Sequence, residues 1–171
     1  MLNDGNSLSD GYETTLHLTG DYPEWWQGYR FDRGIRAWCA GDTSKTVRDI
    51  LQEKLMGPLG EFGTGLIPSA NILKTTQKAG VPDAIESVHV KHSSGDTSFL
   101  YFKSYDQRRE AFQGTEQDLI WLDEEPSMGI YAECLLRTMT TNGLILCTFT
   151  PLLGLSEVVL AFLPGGQMPN G

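Results

Sequence analysis

A chain of 171 residues, 40% hydrophobic and 20% charged, has the size and composition of one globular domain. It is neither a disordered tail nor a coiled-coil rod, and its glycines and prolines follow no collagen-like period. Thirteen Lys+Arg against 22 Asp+Glu leave a formal charge of −9, which argues against broad, non-specific binding to phosphate backbones but leaves room for a small DNA-contacting loop.

In chain order, the small and polar opening residues predict a loop running into a helix around Tyr12–Leu18, stopped by Gly20-Asp21-Tyr22-Pro23. His17 reads as an exposed or capping helix residue. Trp25 and Trp26 fall in a loop, where they either pack over the domain's edge or offer a surface for base stacking. Ile35 to Ala40 reads as a strand ending at Gly41. Asp42 or Thr43 is placed to cap the next helix, with Val47, Ile50, Leu51 and Leu55 at helical spacing. Residues 57–70 form a long Gly/Pro-rich loop, followed by a short helical segment near Ser69–Lys74.

Ser87 to His92 alternates, Ser93-Ser94-Gly95-Asp96 turns and Ser98 to Phe102 returns, which is the pattern of a β-hairpin. His89 and His92 fall on opposite sides of a strand by parity, which speaks against a shared metal. A helical turn or two follows over 106–113. Asp118 to Asp123 and Leu144 to Phe149 read as buried strands, Ser127 to Met139 as a helix, and Leu155 to Leu163 as a last helix. Buried strands alternating with helices describe an α/β domain around a mostly parallel sheet with an inserted hairpin. Cys39, Cys134 and Cys147 are too scattered for a zinc cluster and read as reduced, packed thiols. With no basic-then-apolar leader and no apolar run of ~18 residues, the expectation is a soluble, intracellular protein.

The chemistry concentrates at Leu119-Ile120-Trp121-Leu122-Asp123-Glu124-Glu125-Pro126. Four apolar residues bury a strand and acids emerge at its carboxyl end, where open α/β sheets place ligands. This suits a Walker B element, with Asp123 holding Mg²⁺ beside nucleotide phosphates and Glu124 polarising the attacking water. Acids also favour helix N-termini, so the same residues fit an ordinary strand-to-helix turn. Thr148 and Thr150 end the next apolar strand, where hydroxyls sense a γ-phosphate or simply cap the strand before Pro151. A complete G-x-x-x-x-G-K-[ST] loop is absent; Gly5-Asn6-Ser7 fits only its tail, with an uncharged amide where the lysine belongs. A nuclease using Asp123, Glu124 and Glu125 together is disfavoured, because three contiguous acids at an extended strand end cannot converge on one metal pair.

Tyr22 to Phe31, Ile35-Arg36-Ala37-Trp38, Gly63-Thr64-Gly65-Leu66-Ile67-Pro68, Asp123-Glu124-Glu125-Pro126 and Thr148 to Ser156, in that order, resemble the large terminase subunits of tailed bacteriophages and prophages. The resemblance implies an additional-strand P-loop ATPase fold, joined in the family to an RNase H-like nuclease. It assigns 1–164 to a partial ATPase domain whose first strand and early Walker A loop precede Met1, and 165–171 to the start of a linker. It further implies ATP and Mg²⁺ as cofactors, with Gly5, Asn6 and Ser7 binding nucleotide, Asp123 with Ser7 holding the metal, Glu124 catalytic, and Thr148 and Thr150 coupling. The implied partners are viral double-stranded DNA, a portal protein, a small terminase subunit and further copies of the chain on the portal, all in the bacterial host cytoplasm. The competing expectation, carried by Asn6, is a catalytically inactive prophage relic or binding scaffold.

Overall fold

The computed structural model describes residues 4–149 and 156–161, with side chains from Ser7 onward. Helix α1 (Asp4–Thr19) is followed by strand β1 (Arg36–Gly41). Next comes a continuous helical stretch made of α2 (Ser44–Thr46), a π-helical turn (Val47–Gln52) and α3 (Glu53–Met56). Strands β2 (Ile72–Gln77), β3 (Ile85–Lys91) and β4 (Thr97–Ser104) follow, then two short 3₁₀ turns. Strand β5 (Leu119–Asp123), helix α4 (Met128–Met139), strand β6 (Leu144–Thr148) and helix α5 (Glu157–Ala161) complete the described residues.

The six strands form one sheet in the order β2-β3-β4-β1-β5-β6. Strand β1 runs parallel to β4 and β5, and β5 parallel to β6, whereas β2-β3 and β3-β4 are antiparallel. The expected α/β sheet with an inserted hairpin is therefore present, and the hairpin is extended at the sheet's edge by β2. Strict alternation divides the core. Ala37, Cys39, Leu119 and Trp121 pack under the α1 and α3 side with Leu51, Leu55 and Ile67, while Trp38, Ala40, Ile120 and Leu122 meet Phe112, Ile130 and Cys134 on the α4 side. Among the described residues no helix is long and apolar enough to cross a membrane.

Several expectations are corrected. Helix α1 begins at Asp4, about two turns before Tyr12. Its serines, threonines and two glycines are poor helix formers, but residues 14–19 are all buried, and tertiary packing overrides propensity. The Thr15 and Thr19 hydroxyls are accommodated by back-bonding, to the Gly11 and Thr15 carbonyls respectively, while the buried Thr14 hydroxyl has no hydrogen-bond partner among the described residues. His17 is neither exposed nor a cap: it is fully buried, edge-on to Tyr22, Trp26 and Phe31, with Nδ1 2.8 Å from the Tyr22 hydroxyl. Burial lowers its pKa to about 4, so its 3.4 Å contact with Glu13 joins a neutral imidazole to the carboxylate.

Thr43, not Asp42, caps the second helical stretch, in a reciprocal capping box with Thr46. A π turn follows, within which Gln52 is buried and Ile50 is 45% exposed. Gln52 uses that position to receive the Ile85 amide and to donate to the Asp83 carbonyl. The helical segment expected near Ser69–Lys74 shrinks to Ser69–Asn71, and Ile72 opens β2, whose half-exposed edge position leaves little apolar alternation to read. Strand β6 ends the sheet among the described residues and is only half-buried up to Cys147. Trp25 is exposed and stacks beside Tyr12; Trp26 is half-buried and donates to the Tyr29 carbonyl. Residues 150–155 and 162–171, including Thr150 and the expected linker, lie outside the described residues.

Candidate functional site

The site is built at the carboxyl ends of β5 and β6, where Asp123 lies opposite Thr148 in register. Residues 119–122 are wholly buried because both faces of the sheet are covered. By parity Asp123 shares the face of Leu119 and Trp121, which delivers its carboxylate toward α1. It is only 7% exposed. Burial, helped by the neighbouring Glu124 charge, pushes its pKa up to about 6, although Lys54 and the Ser7 hydroxyl pull the other way.

After Asp123 the strand breaks sharply. Glu124 adopts φ 70°, a left-handed conformation rare for a residue with a side chain, and such outliers cluster at functional sites. The conformation is held by backbone bonds. The Glu124 amide donates to the Thr148 carbonyl at 3.1 Å, and the Tyr105 hydroxyl lies 3.1 and 2.8 Å from the Asp123 and Glu124 carbonyls, to which it donates. The peptide that joins the two acids is thus clamped, and the exposed Glu124 side chain starts from a rigid base. Glu125 turns elsewhere: its carboxylate accepts the hydroxyl of Ser156, just ahead of α5. The three contiguous acids accordingly do not converge, and no group of three or more His, Cys, Asp or Glu among the described residues could cage a metal unaided.

Helix α1 supplies the facing wall. The buried Ser7 hydroxyl accepts from Lys54 Nζ at 2.6 Å and lies against Asp123. One turn further, Asp10 accepts from the Thr148 hydroxyl at 2.8 Å, and that hydroxyl accepts from Trp121 Nε1 at 2.6 Å. A donor chain therefore runs from the core indole through Thr148 to α1, each bond polarising the next. Gly5 and Asn6 lie in the first helical turn, directly ahead of Ser7. A cleft of about 290 Å³ lined by Gly41, Asp42, Thr46, Val47, Ile50, Leu51, Asp123 and Glu124 opens beside the acids. A larger hollow, about 580 Å³, lies at the opposite ends of the strands. There the Arg33 guanidinium is bound in a two-pronged ion pair by Asp118, a fastening between β1 and β5 and remote from the acids.

The residues singled out from sequence are therefore partly united. Ser7, Asp123, Glu124 and Thr148 meet at one sheet edge, and their oxygen donors suit a hard divalent cation that keeps water and phosphate ligands. Thr150 lies outside the described residues, as does the side chain of Asn6. Sequence reasoning missed Lys54, Asp10 and Tyr105. Asp10 follows Ser7 at helical spacing, a signal lost once the segment is read as loop; Lys54 and Tyr105 arrive from other elements and carry no local signature.

The family model described as terminase large subunit, T4likevirus-type, N-terminal, matches residues 7–167. The large terminase subunit of Salmonella phage P22 is 35% identical over 179 residues, an alignment that takes in 93% of this chain and 36% of that protein. The chain thus spans about a third of the length of that relative. The Thermus phage P74-26 large terminase ATPase domain superposes with a TM-score of 0.53 at 17% identity, covering 88% of this chain and 57% of that one. An arginine-to-alanine variant of the same domain gives 0.58 at 15%, covering 94% and 60%. At these identities the two structures establish the fold.

Proposed function

The chain belongs to the T4likevirus-type terminase large-subunit N-terminal family, and from that premise we propose that it is an ATP-hydrolysing domain of a viral DNA-packaging motor. The observation that supports this reading is the meeting of Ser7, Asp123, Glu124 and Thr148 at the carboxyl ends of two neighbouring parallel strands. Asp123 and Ser7 are the groups that would hold Mg²⁺, which when bound neutralises charge on the nucleotide's phosphates. Glu124, projecting from its clamped peptide into solvent at the cleft, orients the attacking water and accepts its proton. Thr148, bonded both to the core and to α1, links the site to the sheet, so a change at the nucleotide is passed to both elements. The nucleotide itself sits against the first turn of α1, with Gly5, Asn6 and Ser7 contributing backbone N–H groups.

The same reading gives the domain viral double-stranded DNA as its track, a portal and a small terminase subunit as partners, further copies of itself on the portal, and the host cytoplasm as its place of action. A second reading, a nucleotide-binding scaffold without turnover, is favoured by Asn6 in place of the phosphate-loop lysine. Calorimetric titration of the chain with Mg-ATP tests both. Wild type and Glu124→Gln should bind and Asp123→Ala should not; undiminished binding by Asp123→Ala would remove the assignment. Phosphate release that disappears in Glu124→Gln supports the motor reading, and binding with no release in any buffer, with DNA and portal added, selects the scaffold.

A further inference from the structure

The phosphate-binding element of this site has an uncharged amide, Asn6, directly before Ser7, yet the site contains an ammonium. Lys54, on α3, reaches across the domain face to Ser7 with Nζ 2.6 Å from Oγ. Among the described residues it has no carboxylate within 4.0 Å, so it is not consumed in an ion pair with Asp123, Asp10 or Glu124. Among the described residues one of its three N–H donors is used, by Ser7, and the other two have no acceptor. We propose that Lys54 supplies, from outside the phosphate loop, the cation that Asn6 cannot, and binds the terminal phosphate oxygens of a nucleoside triphosphate seated at Ser7 and Asp123. This rests on the nucleotide-binding reading given above.

The position of Lys54 is constructed by a motif that the proposed chemistry leaves unused, Gly63-Thr64-Gly65-Leu66-Ile67-Pro68. The Leu66 amide donates to the Lys54 carbonyl at 3.0 Å, and the Ile67 amide to that of Leu55 at 2.8 Å. The loop thereby takes up carbonyls that the end of α3 leaves without helical partners. Gly65 permits this approach: a Cβ there would lie 2.4 Å from the Gly57 amide nitrogen and 2.7 Å from the Leu55 carbonyl. On the other side Gly11 of α1 lets Leu66 pack closely, because a Cβ there would lie 3.0 Å from Leu66 Cδ1, whereas the Lys54 stem, at 3.5 Å, would remain in ordinary contact. Gly65 thus lets the loop pin the end of α3 from which Lys54 reaches Ser7.

The test compares Lys54→Met and Lys54→Arg with wild type for Mg-ATP, Mg-ADP, AMP and tripolyphosphate binding by calorimetry. Loss of a charge-assisted contact to phosphate predicts about 10- to 100-fold weaker ATP binding in Lys54→Met. AMP affinity should be unchanged, Lys54→Arg should recover part of the loss, and Asn6→Lys added to Lys54→Met should restore it. A purely structural lysine would shift the melting temperature and weaken all ligands alike, which overturns the proposal. A second measurement needs no variant. Amine acetylation of the unmodified chain, mapped by mass spectrometry, should be suppressed at Lys54 by saturating Mg-ATP but not at Lys74 or Lys91; equal labelling with and without nucleotide overturns the proposal. Wild type that binds no Mg-ATP at all sinks the nucleotide reading and this proposal with it, whereas normal ATP binding by Lys54→Met sinks this proposal alone.

Discussion

Asp123→Asn should make the protein more stable while destroying its nucleotide site. The carboxyl is 7% exposed and titrates at about 6 instead of its ordinary 3.8, burial being the main cause. Between these values the folded chain retains a proton that the unfolded chain has released. Wild-type stability therefore falls as pH rises from about 3.8 to 6, and the whole penalty is present above that. A shift of about two units corresponds to at most about 3 kcal/mol. Allowing for solvent at the cleft mouth, about 1–3 kcal/mol at pH 7.5 is expected, or a melting temperature higher by about 2–9 °C for a chain of this size. Urea unfolding of wild type and variant from pH 4 to 8 provides the check, because other titrating groups cancel in the difference. The gap should open through pH 4–6, plateau above 6.5 and vanish near pH 4, while Mg-ATP binding is lost. A variant less stable than wild type at pH 7.5, or a gap that ignores pH, would refute the reasoning.

Gly65→Ala places a methyl against backbone at Gly57 and Leu55, where no side chain can move aside; a loss of about 1–3 kcal/mol in urea unfolding is expected, and a neutral result would show that the loop is not pinned as described. Thr148→Val leaves the buried Trp121 indole N–H without its acceptor and should cost about 1–3 kcal/mol, whereas Thr148→Ser should retain most of the stability; equal losses would remove the hydroxyl from the explanation. His17, fully buried with its pKa lowered to about 4 by desolvation, must stay neutral in the fold. Its contribution is intact above the unfolded value of about 6.5 and is lost as pH falls toward 4, opposite in sign to Asp123. His17→Gln should therefore flatten the acid limb of the stability curve between pH 6.5 and 4, and an unchanged slope would count against a neutral buried imidazole.

Much of the framework can be read along the chain because it is local. Strand β5, the hairpin of β3 and β4, helix α4 with its Ser127 cap and the stop at Gly20 each follow from apolar period and turn chemistry within a few residues. The acids at the end of β5 are legible for the same reason, and strand parity alone sends Asp123 to the face of Trp121. The polar start of α1, the half-exposed β2 and the π turn with its exposed Ile50 are not, since in each case burial or its absence is decided by distant elements. The site itself divides along the same line. The residue types at Ser7, Asp123, Glu124 and Thr148 could be named from sequence, but their meeting depends on β5 lying beside β6 and α1 crossing both. Lys54, Asp10 and Tyr105 became visible only in the folded chain. Hydrophobic period and turn residues act over one or two turns of backbone, whereas a charge or hydroxyl acquires its partner only after the sheet has brought together segments far apart in the chain.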